Sequence, residues 1–401
     1  MSAGTAARPH GRTEAFPGEF EQLVATRRDL HRHPELKYEE HRTAGIVAAR
    51  LAELGYRVTT GVGGTGVVGL LEGAAPGKGP TVLLRADMDA LPIEEATGHD
   101  FRSTTRGVMH ACGHDAHVAI GLGVARRLAA ERNRWRGAVK YAFQPAEEGG
   151  CGALRMIEQG VLEGPAVDAA FGLHVWSDLP AGQVAVRAGP IMASVDEFHV
   201  VIRGLGGHAA MPHLARDPIV AAAQVIAALQ TMASRGSDPF EQLVVTVTQV
   251  HSGTGFNVIP ETAVLHGTVR TFGGRVFEQA PGRFTAITRD VAGALGCETD
   301  VRYERLNPVL VNDVAATEVM RAAAAEVAGA PNVSGDQRTM GGEDFAFIAE
   351  RVPACYAFLG IRNEARGFVH GLHSPRFDLD EDALLVGVAL LEGAARRRLA
   401  R

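Results

Sequence analysis

The order in which short apolar runs and helix-like segments follow one another limits what this chain can fold into. From residue 19 to about residue 191, strand-like runs such as TVLLRAD (81–87) and AVKYAFQ (138–144) alternate with helical periodicity, as in residues 39–54 and 116–130. Such alternation is typical of a largely parallel or mixed sheet covered by helices. We therefore expect an α/β domain in this part of the chain.

The next stretch has a different order of elements. Residues 192 to about 306 predict a strand (197–203), a helix (218–234), two strands (243–251 and 262–272), a helix (276–295) and a strand (298–305). This βαββαβ order is that of a ferredoxin-like unit. After it the α/β alternation returns and ends in a long helix predicted at 381–399. The simplest architecture is an α/β domain in two segments, 1–191 and 307–401, with a small domain inserted at 192–306.

The composition is that of a globular protein long enough to bury a large core. The 401 residues are 46% hydrophobic and 21% charged, and the net charge of -6 gives no general attraction to nucleic acid or to an anionic membrane. The four cysteines are far apart and form no CxxC, which is typical of a reducing compartment. Because no apolar run of about 18 residues and no signal-peptide pattern occurs, we expect a cytoplasmic protein with no membrane association and a short mobile N-terminal arm.

Residues that commonly bind metal ions are densest in the octapeptide HACGHDAH (110–117). Cys112 and His114 precede a predicted helix and are separated only by Gly113. A Cys-x-His pair in a turn can direct a thiolate and an imidazole at neighbouring metal positions. Taken alone, the octapeptide is equally compatible with a buried cysteine beside polar residues that cap a helix.

Two pairs of acidic residues lie at the ends of predicted strands, where α/β folds place their sites. Glu147 and Glu148 follow the strand 138–144, and one carboxylate there can bind a metal ion while the other acts as a base. Asp87 and Asp89 mark the end of another strand. Taken alone, the first pair also fits a solvated acidic turn and the second a pair of turn-forming aspartates.

Two histidines complete the set of candidates. His174 lies inside the apolar run FGLHVW, where a lone histidine is more often a core residue, and His373 lies between a strand and the last helix. Neither is informative alone. Together, however, four of these groups lie at predicted strand ends or in the loops that follow them, and each offers a metal-binding side chain. This shared position favours a metal site.

Ten ordered motifs extend over nearly the full length of the chain. They are LHRHPEL (30–36), LLRADMDALPI (83–93), MHACGHDAH (109–117), FQPAEEGG (143–150), GLHVW (172–176), GGHAAMPH (206–213), GFNVIPE (255–261), GTVRTF (267–272), GGEDFAF (341–347) and HGLHSPRFDLDE (370–381). On these motifs the chain resembles the zinc exopeptidase superfamily of aminoacylases and carboxypeptidases. Within that superfamily it is similar to the amidohydrolases that include hippurate hydrolase and the plant auxin-conjugate hydrolases.

The resemblance implies a role for each matching residue. Two divalent metal ions per subunit are implied, and the five positions that match their ligands are Cys112, His114, Glu148, His174 and His373. Cys112 would be the bridging thiolate, where most of the superfamily uses an aspartate. Glu147 matches the general base, and Asp89 matches the carboxylate that orients a ligand. Asp87 stands where the wider superfamily has a histidine ligand, so we do not expect it to bind metal.

The resemblance also implies a zinc-exopeptidase-like catalytic domain whose inserted domain serves as a lid and as the dimerisation domain. His208 matches the histidine that this superfamily sends into the partner subunit's active site, where it stabilises an oxyanion. Asn257 and Arg270 match positions that hold the substrate carboxylate, a task suited to a guanidinium group. Arg270 also fits an exposed charge on a strand. A homodimer is therefore expected.

The implied activity is hydrolysis of the amide bond of a small N-acyl amino acid by a metal-activated water. Benzoyl, indoleacetyl, acetyl and fatty acyl groups all stay open, as do Mn, Zn, Co and Ni as the metal. One alternative is a dipeptidase or aminopeptidase-like exopeptidase with the same machinery. The other is a non-catalytic metal-binding relative, against which the presence of Glu147 and of all five ligand positions argues.

Two motifs are given no role in the chemistry. GVGGTG (61–66) fits GxGxxG formally but precedes the strand-like VVGLL (67–71), so we expect a loop between strands instead of a phosphate-binding turn. His31 and His33 in LHRHPEL are expected to pack or to cap a helix end.

Overall fold

The computed structural model describes residues 15–399, so most of the segment predicted as a mobile arm lies outside the described residues. The chain divides into two compact units. Unit 1 contains the residues up to Gly189, Val311–Gln337 and the residues from Asp344 onward, and unit 2 contains Pro190–Leu310 and Arg338–Glu343. Each unit has a hydrophobic core of its own, as expected for a domain.

Within residues 15–399 the helices, in chain order, are α1 (Glu19–Arg32), α2 (His41–Glu53), α3 (His114–Ala130), α4 (Gly152–Glu158), α5 (Pro218–Leu229), α6 (Thr231–Ser234), α7 (Gly274–Ala294), α8 (Val314–Ala328), α9 (Ala346–Ala349) and α10 (Ala383–Arg398). The strands are β1 (Arg57–Val62), β2 (Gly66–Glu72), β3 (Thr81–Asp87), β4 (Ala138–Gln144), β5 (Ala169–Pro180), β6 (Val184–Ala185), β7 (Gly189–Met192), β8 (Val195–Arg203), β9 (Gly207–His208), β10 (Leu243–Ser252), β11 (Val258–Ile259), β12 (Thr262–Thr271), β13 (Glu298–Asn307), β14 (Leu310–Asn312), β15 (Val333–Ser334) and β16 (Ala354–Arg362). Among the described residues, no helix is both long and apolar enough to cross a membrane.

Unit 1 is built on an eight-stranded sheet with the order β1-β2-β4-β3-β5-β16-β6-β15. β3 runs parallel to both β4 and β5, and β5 runs parallel to β16. Central strands are covered on both faces, which explains why TVLLRAD in β3 is an almost unbroken apolar run and is buried throughout. Because Asp87 pairs with Gln144, β3 and β4 end at the same level of the sheet.

The GxGxxG-like segment forms a turn between two strands, as expected. β1 and β2 pair in antiparallel fashion, and residues 61–66 span the turn between them. No helix follows this turn, so the segment lacks the geometry of a phosphate-binding loop.

Unit 2 has a four-stranded antiparallel sheet with the order β10-β12-β8-β13. The four strands of this sheet and the two long helices of the unit follow one another as β8, α5, β10, β12, α7 and β13, which confirms the predicted ferredoxin-like insert and the α/β fold class. Side chains alternate between the two faces of β8 and β12, and the buried ones pack under α5 and α7. Phe198, Val200 and Leu265 are among them.

One predicted helix is interrupted. Residues 218–234 were expected to form a single helix, but α5 ends at Leu229 and α6 begins at Thr231. The Thr231 hydroxyl donates to the carbonyl of Ala228 at 2.6 Å, and the Gln230 N–H donates to the carbonyl of Ala227 at 3.3 Å. Hydrogen bonds from a threonine side chain to the preceding turn commonly bend helices.

Helix α1 is not indicated by the hydrophobic pattern, because much of its buried face is polar. Its buried residues include Glu19, Arg27 and His31 beside two leucines. Arg27 Nε lies 3.0 Å from Asp115 Oδ2, and Arg127 Nη2 lies 2.7 Å from Glu19 Oε2. Ion pairs with α3 therefore replace the apolar contacts that a periodicity search detects.

We expect Phe284→Ala to lower the free energy of unfolding of unit 2 by about 3–5 kcal/mol. The Phe284 ring is fully buried, and its centroid lies 4.4 Å from that of Phe198. Denaturant unfolding followed by circular dichroism measures the change. The matched control is Phe240→Ala, which removes a ring that is 90% exposed in the same unit and should cost less than about 0.5 kcal/mol. Equal effects of the two substitutions would contradict the packing.

Candidate metal centre

The candidate site forms where the parallel strands of unit 1 end. Asp87 and Gln144 are the last residues of β3 and β4. The last pair between β3 and β5 is Leu84 with Phe171, so Asp87 and His174 each lie three residues beyond it. His174 thus stands beside the end of β3 although it is in the middle of its own strand. This register explains why a histidine inside an apolar run belongs to the site.

The loop before α3 brings Cys112 and His114 to the same end of the sheet. Gly113 between them has φ 81°, in the left-handed region, and a Cβ there would lie 2.4 Å from Cγ2 of Val175. Only glycine fits this turn. Cys112 Sγ lies 3.4 Å from His174 Nε2, while His114 becomes the first residue of α3.

The five predicted ligands fall into two groups that share one residue. The ligand atoms of Cys112, His114 and His174 all lie within 4.8 Å of one another, and the same holds for those of Cys112, Glu148 and His373. The first group is fully buried, whereas His373 is exposed. The structure thus brings all five side chains together, with the thiol of Cys112 common to both groups.

Hydrogen bonds fix which ring nitrogen each buried histidine presents to the centre. His174 Nδ1 lies 2.7 Å from the carbonyl oxygen of Val175, and His114 Nδ1 lies 2.8 Å from that of Asp89. Since a carbonyl can only accept, both Nδ1 atoms carry the hydrogen and Nε2 faces the centre. His114 Nε2 is buried without a hydrogen-bond partner among the described residues. An orphaned ring nitrogen beside a thiol fits a metal ligand.

The electrostatics of the cluster favour a bound cation. Burial raises the pKa of the Cys112 thiol well above its ordinary value, and the carboxylates of Glu148 and Glu147 raise it further. Burial alone would lower the pKa of His114, but Asp87 and Asp89 raise it to about 10. A divalent ion would reverse the first effect by deprotonating the thiol and would replace the proton that the carboxylates favour on His114.

Burial lowers the pKa of His174 well below its ordinary value. The neighbouring His117 ring acts in the same direction. His174 is therefore neutral near pH 7, and its Nε2 offers a lone pair toward Cys112. A neutral imidazole is the form in which histidine binds metals.

Asp89 holds both predicted glutamates through their backbone. Its Oδ1 accepts the N–H of Glu147 at 3.0 Å, and its Oδ2 accepts the N–H of Glu148 at 2.9 Å. Glu147 is buried, with 8% of the residue exposed, and one of its carboxylate oxygens lies within 4.8 Å of ligand atoms of His114 and Glu148. Asp89 therefore orients the turn that carries these glutamates as well as the ring of His114.

Asp87 forms contacts that leave it little capacity as a ligand. Its Oδ2 accepts from Arg85 Nη1 at 2.6 Å, and its Oδ1 accepts from His117 Nδ1. The N–H of Val175 donates to His117 Nε2 at 3.0 Å, so both nitrogens of this ring are occupied. Ligand atoms of Asp87, His114 and His117 do lie within 4.8 Å of one another. Because Asp87 and His117 are already hydrogen-bonded to other residues, we interpret them as neighbours that support His114 and not as further metal ligands.

Sequence reasoning gave no role to Arg85 or His117. Arg85 also donates to Gln144 Oε1 at 2.8 Å and to Asp344 Oδ1 at 3.1 Å, and so links the ends of β3 and β4. Its signal in the sequence was a charged residue inside the apolar run TVLLRAD, since a buried arginine requires partners.

His373 is held by its backbone. Its φ of 62° lies in the left-handed region, and its N–H donates to the carbonyl of Ala111 at 2.8 Å. Its Nε2 lies 3.1 Å from Glu148 Oε1, and this hydrogen bond raises the pKa of His373. The loop before α10 is thereby attached to the Cys112 loop.

The histidines of LHRHPEL lie apart from the five-residue cluster. His31 is buried, with Nδ1 2.8 Å from Asp115 Oδ2, and His33 Nδ1 donates to the carbonyl of Asp29 at 2.9 Å near the end of α1. Both positions agree with the expected packing and capping roles.

His208, predicted to stabilise an oxyanion, and Asn257, predicted to bind substrate, lie side by side in unit 2. β9 pairs with β11, with His208 opposite Val258, and the N–H of Ala209 donates to the carbonyl of Asn257 at 3.1 Å. The N–H of Ala210 donates to His208 Nδ1, so the hydrogen of this exposed ring is on Nε2. His208 therefore presents a hydrogen-bond donor to its surroundings.

Arg270 lies on β12 of the same unit. It is half-buried, not an exposed strand charge, and its Nε donates to Thr268 Oγ1 at 3.0 Å. Burial lowers the pKa of Arg270, an effect that Asp196 opposes. The guanidinium stays charged near pH 7.

Comparison with known proteins is consistent with this geometry. Residues 83–397 match the family model described as Peptidase family M20/M25/M40. The N-acetyl-L-cysteine deacetylase of Bacillus subtilis is 41% identical over 94% of this chain and 88% of the relative. Thermostable carboxypeptidase 1 of Saccharolobus solfataricus is 41% identical over 91% and 92%. The IAA-amino acid hydrolase ILR1-like 4 of Arabidopsis thaliana is 40% identical over 95% and 86%.

A solved structure extends the similarity to the fold. The YXEP protein of Bacillus subtilis, described as a dinuclear metal binding peptidase from the M20 family, aligns with a TM-score of 0.82 and 35% sequence identity. The alignment covers 95% of this chain and 98% of that one.

An α/β domain with a Cys/His/Glu cluster at its strand ends and a ferredoxin-like insert defines a hydrolase of the zinc-exopeptidase class. The chain belongs to peptidase family M20/M25/M40, and the resemblance to its amidohydrolase branch is confirmed.

We expect Asp89→Asn to weaken metal binding by about 10- to 100-fold, because an amide offers one oxygen to two N–H donors. Competition with a chromophoric chelator measures the affinity. Asp178→Asn, at an exposed position near the end of β5, serves as the control and should bind metal as the unmodified protein does. Unchanged affinity in Asp89→Asn would contradict the role of this carboxylate.

Proposed function

We propose that this protein hydrolyses the amide bond of small N-acyl amino acids by attack of a metal-activated water. The observation that carries the proposal is the pair of donor groups that share Cys112. Donors of these types in two groups would suit a pair of divalent ions. The names of two relatives, a deacetylase of N-acetyl-L-cysteine and a hydrolase of IAA-amino acids, support amide substrates of this type.

We propose that Cys112, His114, Glu148, His174 and His373 would hold two divalent ions per subunit, with Cys112 common to the two groups of donors. The description of the related YXEP protein as dinuclear supports this number. Thiolate, imidazole and carboxylate together suit Mn or Zn, and also Co or Ni. When bound, such ions polarise the substrate carbonyl and lower the pKa of a water molecule to about 7.

Glu147 is the proposed general base. It lies on the same turn as Glu148 but outside the five-residue ligand set, so its carboxylate can take a proton from the attacking water and deliver it to the leaving nitrogen. Asp89 supports this role by fixing the backbone on which Glu147 stands. The products are a carboxylate and a free amino acid, and no covalent enzyme intermediate is needed.

We assign the recognition of the substrate carboxylate to Asn257 and Arg270. We assign the stabilisation of the oxyanion to His208, acting in the partner subunit's site of a homodimer. The exposed Nε2–H of His208 supports the second assignment, because an oxyanion requires a hydrogen-bond donor.

The surface of unit 2 supports the proposed homodimer. β10 is the outer strand of its sheet, and it is long enough to pair with a second chain. Large apolar side chains are exposed on β10 and on α5, namely Val244, Val250, Ile219 and Val220. Exposed apolar groups beside an outer strand are typical of a protein interface. The substrate is a small molecule, and a cytoplasmic location remains part of the proposal because the four cysteines are free thiols.

A peptidase is the second candidate function. The relative from Saccharolobus solfataricus is named a carboxypeptidase, and the same centre can cleave a peptide bond. The two functions differ in the group on the acyl side of the bond, so a panel of substrates separates them. A non-catalytic role is disfavoured by the buried Glu147 beside the cluster.

Glu147→Gln should abolish hydrolysis while the protein still binds two metal ions, because the amide cannot accept the proton. The assay measures amino-acid release from hippurate, N-acetyl and indoleacetyl conjugates and from dipeptides. The enzyme is stripped with a chelator and reloaded with Mn or Zn, and the stripped form should be inactive. Glu158→Gln, an exposed glutamate on α4, is the control. Substantial activity in Glu147→Gln would refute the assignment of the base.

Mixing two inactive variants tests the proposed role of His208. In a heterodimer of His208→Ala with Glu147→Gln, one of the two sites would combine Glu147 from one subunit with His208 from the other. Subunit exchange at equal concentrations should therefore restore about a quarter of the unmodified activity. If His208 acts within its own subunit, no mixture regains activity.

A further inference from the structure

The turn that carries Glu147 and Glu148 contains a strained residue. Ala146 has φ 54°, in the left-handed region that residues other than glycine rarely adopt. It is fully buried, and its carbonyl accepts from the N–H groups of Gly150 and Gly152, both at 3.2 Å. A Cβ at Gly150 would lie 2.5 Å from the Cβ of Ala146. Such a conformation persists only when the surroundings determine it.

Glu40 provides one of these determinants from a distant part of the sequence. Its Oε1 accepts the N–H of Ala146 at 2.9 Å, and its Oε2 accepts the hydroxyl of Thr65. Glu40 is fully buried at the start of α2, so it has no access to solvent as an alternative partner. The carboxylate is thus held in place by Thr65 and in turn holds the strained residue.

Three consecutive N–H groups of the turn are therefore bound by buried carboxylates. Glu40 takes that of Ala146, while the two oxygens of Asp89 take those of Glu147 and Glu148. Without these acceptors the N–H groups would be buried and unsatisfied, which disfavours the observed backbone.

The segment that contains Glu40 contacts the same turn at two further points. Lys37 Nζ donates to the carbonyl of Glu148 at 3.0 Å, and the Tyr38 hydroxyl donates to the carbonyl of Gly150. Residues 37–40 thus bind the turn on the side of its carbonyl groups as well as at Ala146.

From these contacts we propose that Glu40 is a positioning residue that sets the direction of the Glu147 and Glu148 side chains by holding the left-handed conformation of Ala146. The proposal rests on the proposed function insofar as it concerns catalysis. Glu40 touches neither the ligand set nor the substrate, and it acts only through the backbone of the turn. What it must supply is a hydrogen-bond acceptor, not a negative charge.

Two substitutions of Glu40 distinguish the need for a hydrogen-bond acceptor from the need for a negative charge. Glu40→Ala removes the acceptor, whereas Glu40→Gln keeps an amide oxygen for Ala146 and lets the amide nitrogen donate to the hydroxyl of Thr65. Glu39→Ala, at the exposed neighbouring glutamate, is the matched control. Thr65→Val leaves Glu40 in place but removes its support, and should give a smaller effect in the same direction even if Glu40→Ala folds poorly.

Two measurements on the metal-reloaded, full-length protein report on the proposal. Steady-state hydrolysis of the best substrate in the panel should show kcat lowered by about 10- to 100-fold in Glu40→Ala, with KM changed by less than about threefold. Amide hydrogen exchange followed by mass spectrometry should show faster exchange in a peptide covering residues 145–150. Glu40→Gln and Glu39→Ala should stay within about threefold of the unmodified protein in kcat.

Several outcomes would overturn the proposal. Unchanged kcat and unchanged exchange in Glu40→Ala would show that the turn needs no acceptor at this position. Equal losses in Glu40→Ala and Glu40→Gln would show that charge is required instead. If the unmodified protein hydrolyses nothing in the panel, the proposed function fails, and the exchange of residues 145–150 then decides the positioning role by itself.

Discussion

The candidate centre depends on the buried carboxylate of Asp89. Its two oxygens accept consecutive N–H groups from Glu147 and Glu148, and its main-chain carbonyl accepts from His114. One residue therefore connects the end of β3 to the turn after β4 and to the start of α3. Two of the pieces of chain that carry donors of the cluster, the turn after β4 and the start of α3, are therefore positioned by hydrogen bonds to this single residue.

The two aspartates of the DMD sequence divide the charge of the site between them. Asp87 binds Arg85 and His117 on the side of the sheet, while Asp89 binds backbone N–H groups on the side of the ligands. The negative charge of Asp87 is therefore compensated by a residue of the protein, Arg85. Around Cys112 and His114, carboxylates raise the pKa of both groups, and Asp87 is among these carboxylates. This negative charge favours a bound cation.

The sequence predicts the fold class and the insert well, because βαββαβ is a matter of order and each element has its own local periodicity. It also offers every side chain of the two donor groups as a candidate, and the family resemblance selects these five from the other candidates. What it misses depends on contacts between distant residues. Helix α1 buries arginine and histidine through ion pairs with α3, and Glu40 reaches Ala146 across 106 positions. Neither contact leaves a local pattern that periodicity can detect.

The position of β16 has a consequence for how the protein is made. β16 lies between β5 and β6 in the sheet of unit 1, and both neighbours belong to the first segment of that unit. During synthesis on the ribosome, all of unit 2 emerges before β16 does. Until β16 emerges, the sheet of the nascent first segment is incomplete, because β5 and β6 lack the strand that lies between them. Unit 2 is nearly continuous in sequence and can already fold at this stage. His373 emerges later still, so the candidate cluster is completed only after β16 has emerged.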